Sequence, residues 1–75
     1  MNCLNFNTNT PLEHIPRVLD LLRVMSFDLD DLQVGSRDNG VFCVMVTCRA
    51  LQKEGLETLR RRIQNIPGIH KLHCI

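Results

Sequence analysis

The chain has 75 residues, which is room for one small domain spanning residues 1–75. Its net charge of +1, from 9 basic and 8 acidic side chains, gives no general attraction to nucleic acid or to an anionic membrane surface. No apolar run approaches the length of a membrane span and the first residues lack a signal-peptide pattern, so we expect a cytoplasmic protein.

The first third of the sequence predicts a strand followed by a helix. Residues 1–7 alternate apolar and polar side chains, which is typical of a strand. Thr10 as a cap, Pro11 at the first helical position and Glu13 three residues after the cap predict a helix start. The apolar stripe of this helix is predicted to be Leu12, Ile15, Val18, Leu19, Leu22 and Met25.

Pro16 conflicts with that helix start, because proline removes a backbone donor in a helix interior. Either the helix begins near His14, with Pro16 in its first turn, or the helix is kinked at Pro16. A second strand begins at Phe27, and its apolar residues change parity at Asp30-Asp31, which predicts a bulge.

The second half predicts a hairpin, a helix and a last strand. Asn39-Gly40 is a strong hairpin signal. Residues 41–48 are almost continuously apolar, as in a strand covered on both faces. Residues 51–66 predict a helix that ends at Pro67-Gly68, and residues 69–75 predict a strand. The inner face of that helix is predicted to be Leu56, Leu59, Ile63 and Ile66. The order strand-helix-strand-strand-helix-strand predicts a ferredoxin-like α+β sandwich, with both helices on one face of a four-stranded antiparallel sheet.

Residues able to do chemistry are scattered. We expect His14, His70 and His73 to be surface or interface side chains, and the odd separation of the last two predicts opposite sides of the sheet. The four cysteines form no C-x-x-C pair, and Cys43 and Cys48 are predicted to lie on opposite faces. We therefore expect reduced thiols, no metal and no catalytic residue.

Three other clusters have simple interpretations. The run Arg60, Arg61 and Arg62 is expected on a solvated helix face. Asp28, Asp30 and Asp31 lack the glycine and the terminal glutamate of a calcium loop. The sequence has no Tyr or Trp, so the exposed aromatic platform of a single-stranded RNA-binding sheet is not expected.

One segment resembles a known family. The run from Thr10 through the helix to Phe27-Asp28-Leu29 and on to Leu32-Gln33-Val34-Gly35 is similar to the first helix and second strand of ACT regulatory domains. Phe6-Asn7, Glu13 and Arg17-Val18-Leu19 resemble the short type of acetolactate (acetohydroxyacid) synthase small subunit, which is a single ACT domain.

This resemblance implies a non-catalytic subunit that forms a homodimer and activates a large catalytic subunit in branched-chain amino acid biosynthesis. The large subunit would carry thiamine diphosphate, FAD and magnesium, and this chain would bind none of them. The resemblance places the amino-acid effector site at Thr10, Glu13, His14 and Asp28.

The effector site is changed from the pattern of amino-acid-sensing members. Glu13 stands where they have glycine, and Thr10 and Asp28 stand where they have asparagine. The Glu13 carboxylate is expected to use the helix N-terminal donors and to repel an effector carboxylate, so valine insensitivity is expected. The alternative is a stand-alone domain that senses an amino acid at a dimer interface.

Overall fold

The computed structural model describes residues 2–51 and 55–74 of the chain. The predicted first residue of strand 1–7, the predicted last residue of strand 69–75 and residues 52–54 lie outside the described residues. The bounds of the helix predicted over 51–66 are wrong, because the helix runs only from Leu56 to Gln64. The strands are β1 (Asn2–Thr8), β2 (Phe27–Ser36), β3 (Phe42–Ala50) and β4 (Ile69–Cys74), and the helices are α1 (Pro11–Val24) and α2 (Leu56–Gln64).

The predicted fold is confirmed. The four strands form one sheet in the order β2-β3-β1-β4, and each neighbouring pair is antiparallel. Both helices pack against the same sheet face, so we call the opposite side the outer face. The core joins strand residues Leu4, Phe6, Phe27, Val44, Val46, Cys48 and Ile69 to Val18 and Leu22 of α1 and to Leu59, Ile63 and Ile66 of α2 and the turn after it.

The predicted bulge in β2 and the predicted Asn39-Gly40 turn of the β2-β3 hairpin are both present. The pairing register of β2 shifts between Leu29 and Asp31, as expected for the bulge. Asn39 and Gly40 have φ angles of 67° and 72°, the left-handed conformation that an Asn-Gly turn allows. The Arg37 amide closes this turn by donating to the Val41 carbonyl at 2.7 Å.

Helix α1 begins at Pro11 and contains Pro16, so the later start near His14 is wrong. The predicted stripe is also wrong at Leu12, whose side chain is 92% exposed. At roughly 100° per residue, Leu12 is separated from Val18 by about 120° around the helix and does not share its face. The buried row has a four-residue spacing instead and consists of His14, Val18 and Leu22.

Strand β3 is buried on one face only. Val44, Val46 and Cys48 point to the helices, whereas Met45 on the outer face is 36% exposed. The expectation that this strand is covered on both faces therefore fails within a single chain. Cys43 and Cys48 do lie on opposite faces, as predicted.

A bulge in β4, which the sequence did not predict, changes where the histidines point. The register against β1 shifts, so that His73 pairs with Asn5 and His70 pairs with Asn7. Both asparagines are on the outer face, because they alternate with buried residues along β1. The prediction that His70 and His73 face opposite sides is therefore wrong.

Candidate functional site

The β1–α1 junction is the predicted effector region, and the amides of Thr10, Glu13 and His14 in it are already bonded within the chain. Thr10 is the residue before the helix, but its hydroxyl makes no capping bond. The amides of Glu13 and His14 both donate to the Thr10 carbonyl, at 3.0 and 3.1 Å. The Thr10 amide donates to the Thr8 hydroxyl at 3.0 Å, and Pro11 has no amide hydrogen to offer.

The Glu13 carboxylate does not use these donors, contrary to the sequence-based expectation. It is exposed and makes no hydrogen bond or ion pair with the residues that the structure describes. The Thr10 carbonyl, not a side chain, accepts the Glu13 and His14 amides of the first turn. Pro11 has no amide hydrogen, so the turn has one donor fewer that needs a cap. The functional consequence is similar, because a ligand carboxylate would find these amides occupied.

His14 is the most unexpected residue of the junction. Its side chain is 5% exposed, so the prediction of a surface position is wrong. Its Nδ1 atom lies 2.5 Å from the Thr8 hydroxyl and 3.3 Å from the Thr10 hydroxyl. Because Thr8 accepts the Thr10 amide hydrogen, its own proton is available to donate to Nδ1.

Two residues that the sequence did not single out complete this arrangement. Thr8 is fully buried at the end of β1, where its hydroxyl joins the strand to the helix. Gly68, in the turn before β4, leaves room for the imidazole ring. A usable signal was the four-residue spacing of His14, Val18 and Leu22, which places the histidine on the buried row of α1.

An open apolar depression of about 660 Å³ adjoins the same loop. Its walls are formed by residues 9–13 together with Phe42, and they include the exposed Leu12 and Glu13. The structure thus brings Thr10, Glu13 and His14 into one region, with His14 beneath the surface.

Asp28 does not join that region within one chain. Asp28 is at the start of β2 and lies opposite Arg49, near the end of β3, in the strand register. Thr8 lies opposite Phe42, at the start of β3 and so at the other end of the sheet. A separate depression contains Asp28 together with Leu29 and Leu51. The four predicted effector positions therefore fall into two groups at opposite ends of the sheet.

The arginine run on α2 divides into different environments. Arg60 donates to Glu57 and to Gln64 along the helix. The hydrogen bond from Arg60 to Glu57, together with the charge of Arg60, lowers the pKa of Glu57 below its ordinary value. Arg61 and Arg62 are exposed, as predicted, and Arg62 also lines a groove between the helices with Arg17 and Asp20.

No three His, Cys, Asp or Glu side chains come together as metal ligands within residues 2–51 and 55–74. Cys3 and Cys43 are partly exposed thiols, whereas Cys48 belongs to the core. In the same part of the chain, no helix has the length and apolar character needed to cross a membrane.

Comparisons with known proteins bear on the fold. No family model and no curated protein sequence matches the chain. The ACT domain from the GTP pyrophosphokinase of Chlorobium tepidum superposes with a TM-score of 0.76 at 9% identity, covering 99% of this chain and 95% of that one. The chain has the fold of an ACT domain.

Two further solved structures superpose on the chain. The C-terminal domain of the MgtC protein from Mycobacterium tuberculosis gives a TM-score of 0.84 at 10% identity, covering 99% of this chain and 83% of that one. Formyltetrahydrofolate deformylase from Burkholderia mallei gives 0.81 at 19% identity, covering 99% of this chain but only 27% of the enzyme. At these identities the likeness is one of fold.

Proposed function

We propose that this ACT-fold chain is a non-catalytic regulatory subunit, the small subunit of acetolactate synthase, and that valine does not regulate it. The sequence resemblance of Phe6-Asn7, Glu13 and Arg17-Val18-Leu19 to the short small subunits supports the partner. The ACT fold supports the role of an accessory domain to a larger enzyme, since the similar ACT domain comes from a GTP pyrophosphokinase.

The occupied β1–α1 junction is the observation that carries the valine-insensitive part of the proposal. A bound amino acid needs unpaired backbone donors for its carboxylate. Here the Thr10 carbonyl takes the Glu13 and His14 amides, the Thr8 hydroxyl takes the Thr10 amide, and Pro11 supplies none. Among residues 10–14 this leaves a ligand the single amide of Leu12, too few donors to hold a carboxylate well. The exposed Glu13 carboxylate adds repulsion at the same place.

The proposal includes a homodimer formed through the free edge of β2. The first half of this strand carries three aspartates and the bulge, but its second half, 32–36, is uncharged and regular. Val34, on the helix side of the sheet, is 46% exposed. Antiparallel pairing of two copies along 32–36 would cover Val34 and satisfy the unpaired backbone groups of both edges.

Reconstitution with a purified acetolactate synthase large subunit tests the function. With thiamine diphosphate, FAD and magnesium present, adding this chain should raise the activity, and valine should not inhibit the mixture. A different ACT domain at the same concentration is the control. If the chain neither changes the activity nor copurifies with the large subunit, the proposed partner is wrong.

The second candidate function is a stand-alone amino-acid sensor. The apolar depression of about 660 Å³ beside residues 9–13 favours it, because small-molecule sites are concave and mostly apolar. Binding of an amino acid without any effect on the synthase would support this alternative.

A further inference from the structure

The outer face of the sheet contains a small polar depression of about 270 Å³. Residues from four separate segments line it: Asn5, Phe6 and Asn7 of β1, Cys43 of β3, Arg37 of the hairpin loop, and Lys71 and His73 of β4. It shares no lining residue with the depression beside the β1–α1 loop. It is therefore separate from the predicted effector region.

The β4 bulge helps to form this depression. Lys71 has a φ of 54°, a conformation that a residue with a side chain adopts at a cost. The register shift around it pairs His73 with Asn5 and His70 with Asn7. Bulges re-aim side chains, and this one places Lys71 and His73 in the same depression as the two asparagines.

The lining has the chemistry of an anion site. Arg37 and Lys71 supply positive charge, and the amides of Asn5 and Asn7 can donate hydrogen bonds. No carboxylate side chain is among the lining residues that the structure describes. Across the described residues, neither Arg37 nor Lys71 forms an ion pair that would neutralise it.

We propose that this depression binds a small anion that carries a phosphate or a carboxylate group. The planar guanidinium of Arg37 suits either group, because both present two oxygens to it. The volume admits a ligand of a few non-hydrogen atoms rather than a large cofactor. This site is independent of the proposed synthase partnership.

Amide NMR of the ¹⁵N-labelled full chain tests the site. Inorganic phosphate and succinate are the probes, and sodium chloride at matched ionic strength controls for screening. The expected result is a saturable shift of the Asn5 and Asn7 side-chain amides with one probe at low millimolar concentration. The more effective probe identifies the group that the site prefers.

Two variants and one control test whether the lining residues bind the anion. Arg37→Gln and Lys71→Asn should each weaken binding by about tenfold, and asparagine suits the left-handed backbone at position 71. Arg61→Gln removes an exposed charge from α2 and should leave the affinity unchanged. The proposal is overturned if neither probe gives saturable shifts, if chloride reproduces them, or if Arg61→Gln has the same effect as Arg37→Gln. If Lys71→Asn does not fold, Arg37→Gln alone decides.

Discussion

The imidazole of His14 occupies the space that a side chain at Gly68 would need. A Cβ atom built on Gly68 would lie 2.5 Å from Cε1 and 2.9 Å from Nε2 of that ring. Gly68 also has a φ of 93°. Two constraints, one steric and one of backbone conformation, therefore require glycine in the turn between α2 and β4.

Gly68→Ala should lower the free energy of unfolding by about 2 kcal/mol or more, through backbone strain and displacement of the ring. Chemical denaturation followed by circular dichroism measures this. Gly35→Ala is the control, because nothing lies within 4 Å of its Cβ position. In a double-mutant cycle, His14→Ala should recover part of the loss. Equal unfolding midpoints for wild type and Gly68→Ala would contradict the close packing of the His14 ring against Gly68.

Thr8→Val should destabilise the fold by about 1–3 kcal/mol, because valine has nearly the same shape but lacks the buried hydroxyl. The Thr10 amide then loses its acceptor, and His14 Nδ1 keeps only the longer contact to the Thr10 hydroxyl. Thr47→Val is the matched control, since Thr47 lies on the partly exposed outer face of β3. Similar losses in the two variants would show that the Thr8 hydroxyl has no special role.

Arg60→Gln should raise the pKa of Glu57 towards its ordinary value, because the Arg60 hydrogen bond is the main cause of the lowering. A carboxyl group with a lowered folded-state pKa stabilises the fold above its unfolded pKa. That contribution disappears as the pH falls through the folded pKa. Carbon-detected NMR titration of Glu57 measures the change. Arg61→Gln should have a smaller effect, because Arg61 is the last of the causes that act on Glu57.

Val34→Lys should abolish the proposed homodimer and leave the monomer folded, because Val34 is at a free sheet edge outside the core. Sedimentation at micromolar concentration distinguishes the dimer from the 8.6 kDa chain. Leu12→Lys, at a 92% exposed position on α1, is the control and should still dimerise. A wild-type protein that sediments only as the monomer would refute the dimer.

Valine, leucine and isoleucine should not bind the wild-type chain up to millimolar concentrations in calorimetry. Glu13→Gly alone should not create binding, because the backbone amide at this position still donates to the Thr10 carbonyl. Combining Glu13→Gly with Pro11→Gly adds an amide and loosens the first turn, so weak binding is expected. Combining Glu13→Gly with Asp28→Asn tests the side chains alone. Tight valine binding by the wild type would remove the insensitivity from the proposal while leaving the fold unaffected.

The element order was predictable because it depends on local periodicity. The Asn39-Gly40 turn, the β2 bulge and the inner face of α2 each carry a signal within a few residues. The burial of His14 had a local signal in its four-residue spacing with Val18 and Leu22, but its polar contacts could not be predicted. They depend on Thr8 and Gly68, which meet the helix only in the folded chain. The common face of His70 and His73 was also hidden, because nothing in the sequence around Lys71 marks a bulge.

The candidate site was predictable only in part, because some of its residues are neighbours in the sequence and others meet only through the fold. Residues near Thr10 are neighbours in the sequence, so their proximity needed no tertiary information. Asp28 was assigned with them from a family pattern, but strand pairing places it at the other end of the sheet. The anion site on the outer face combines four segments, and no window of the sequence contains them.

The two edge strands of the sheet, β2 and β4, differ in how well they can pair with a strand of another chain. Edge strand β4 is interrupted by Lys71 in a left-handed conformation, and β2 is regular only beyond its aspartates. In the proposed dimer the regular segment 32–36 of both copies would be paired, and the edge strand that stays open, β4, is interrupted at Lys71. If the proposed dimer forms, we therefore expect assembly to stop at two chains rather than to continue into fibres.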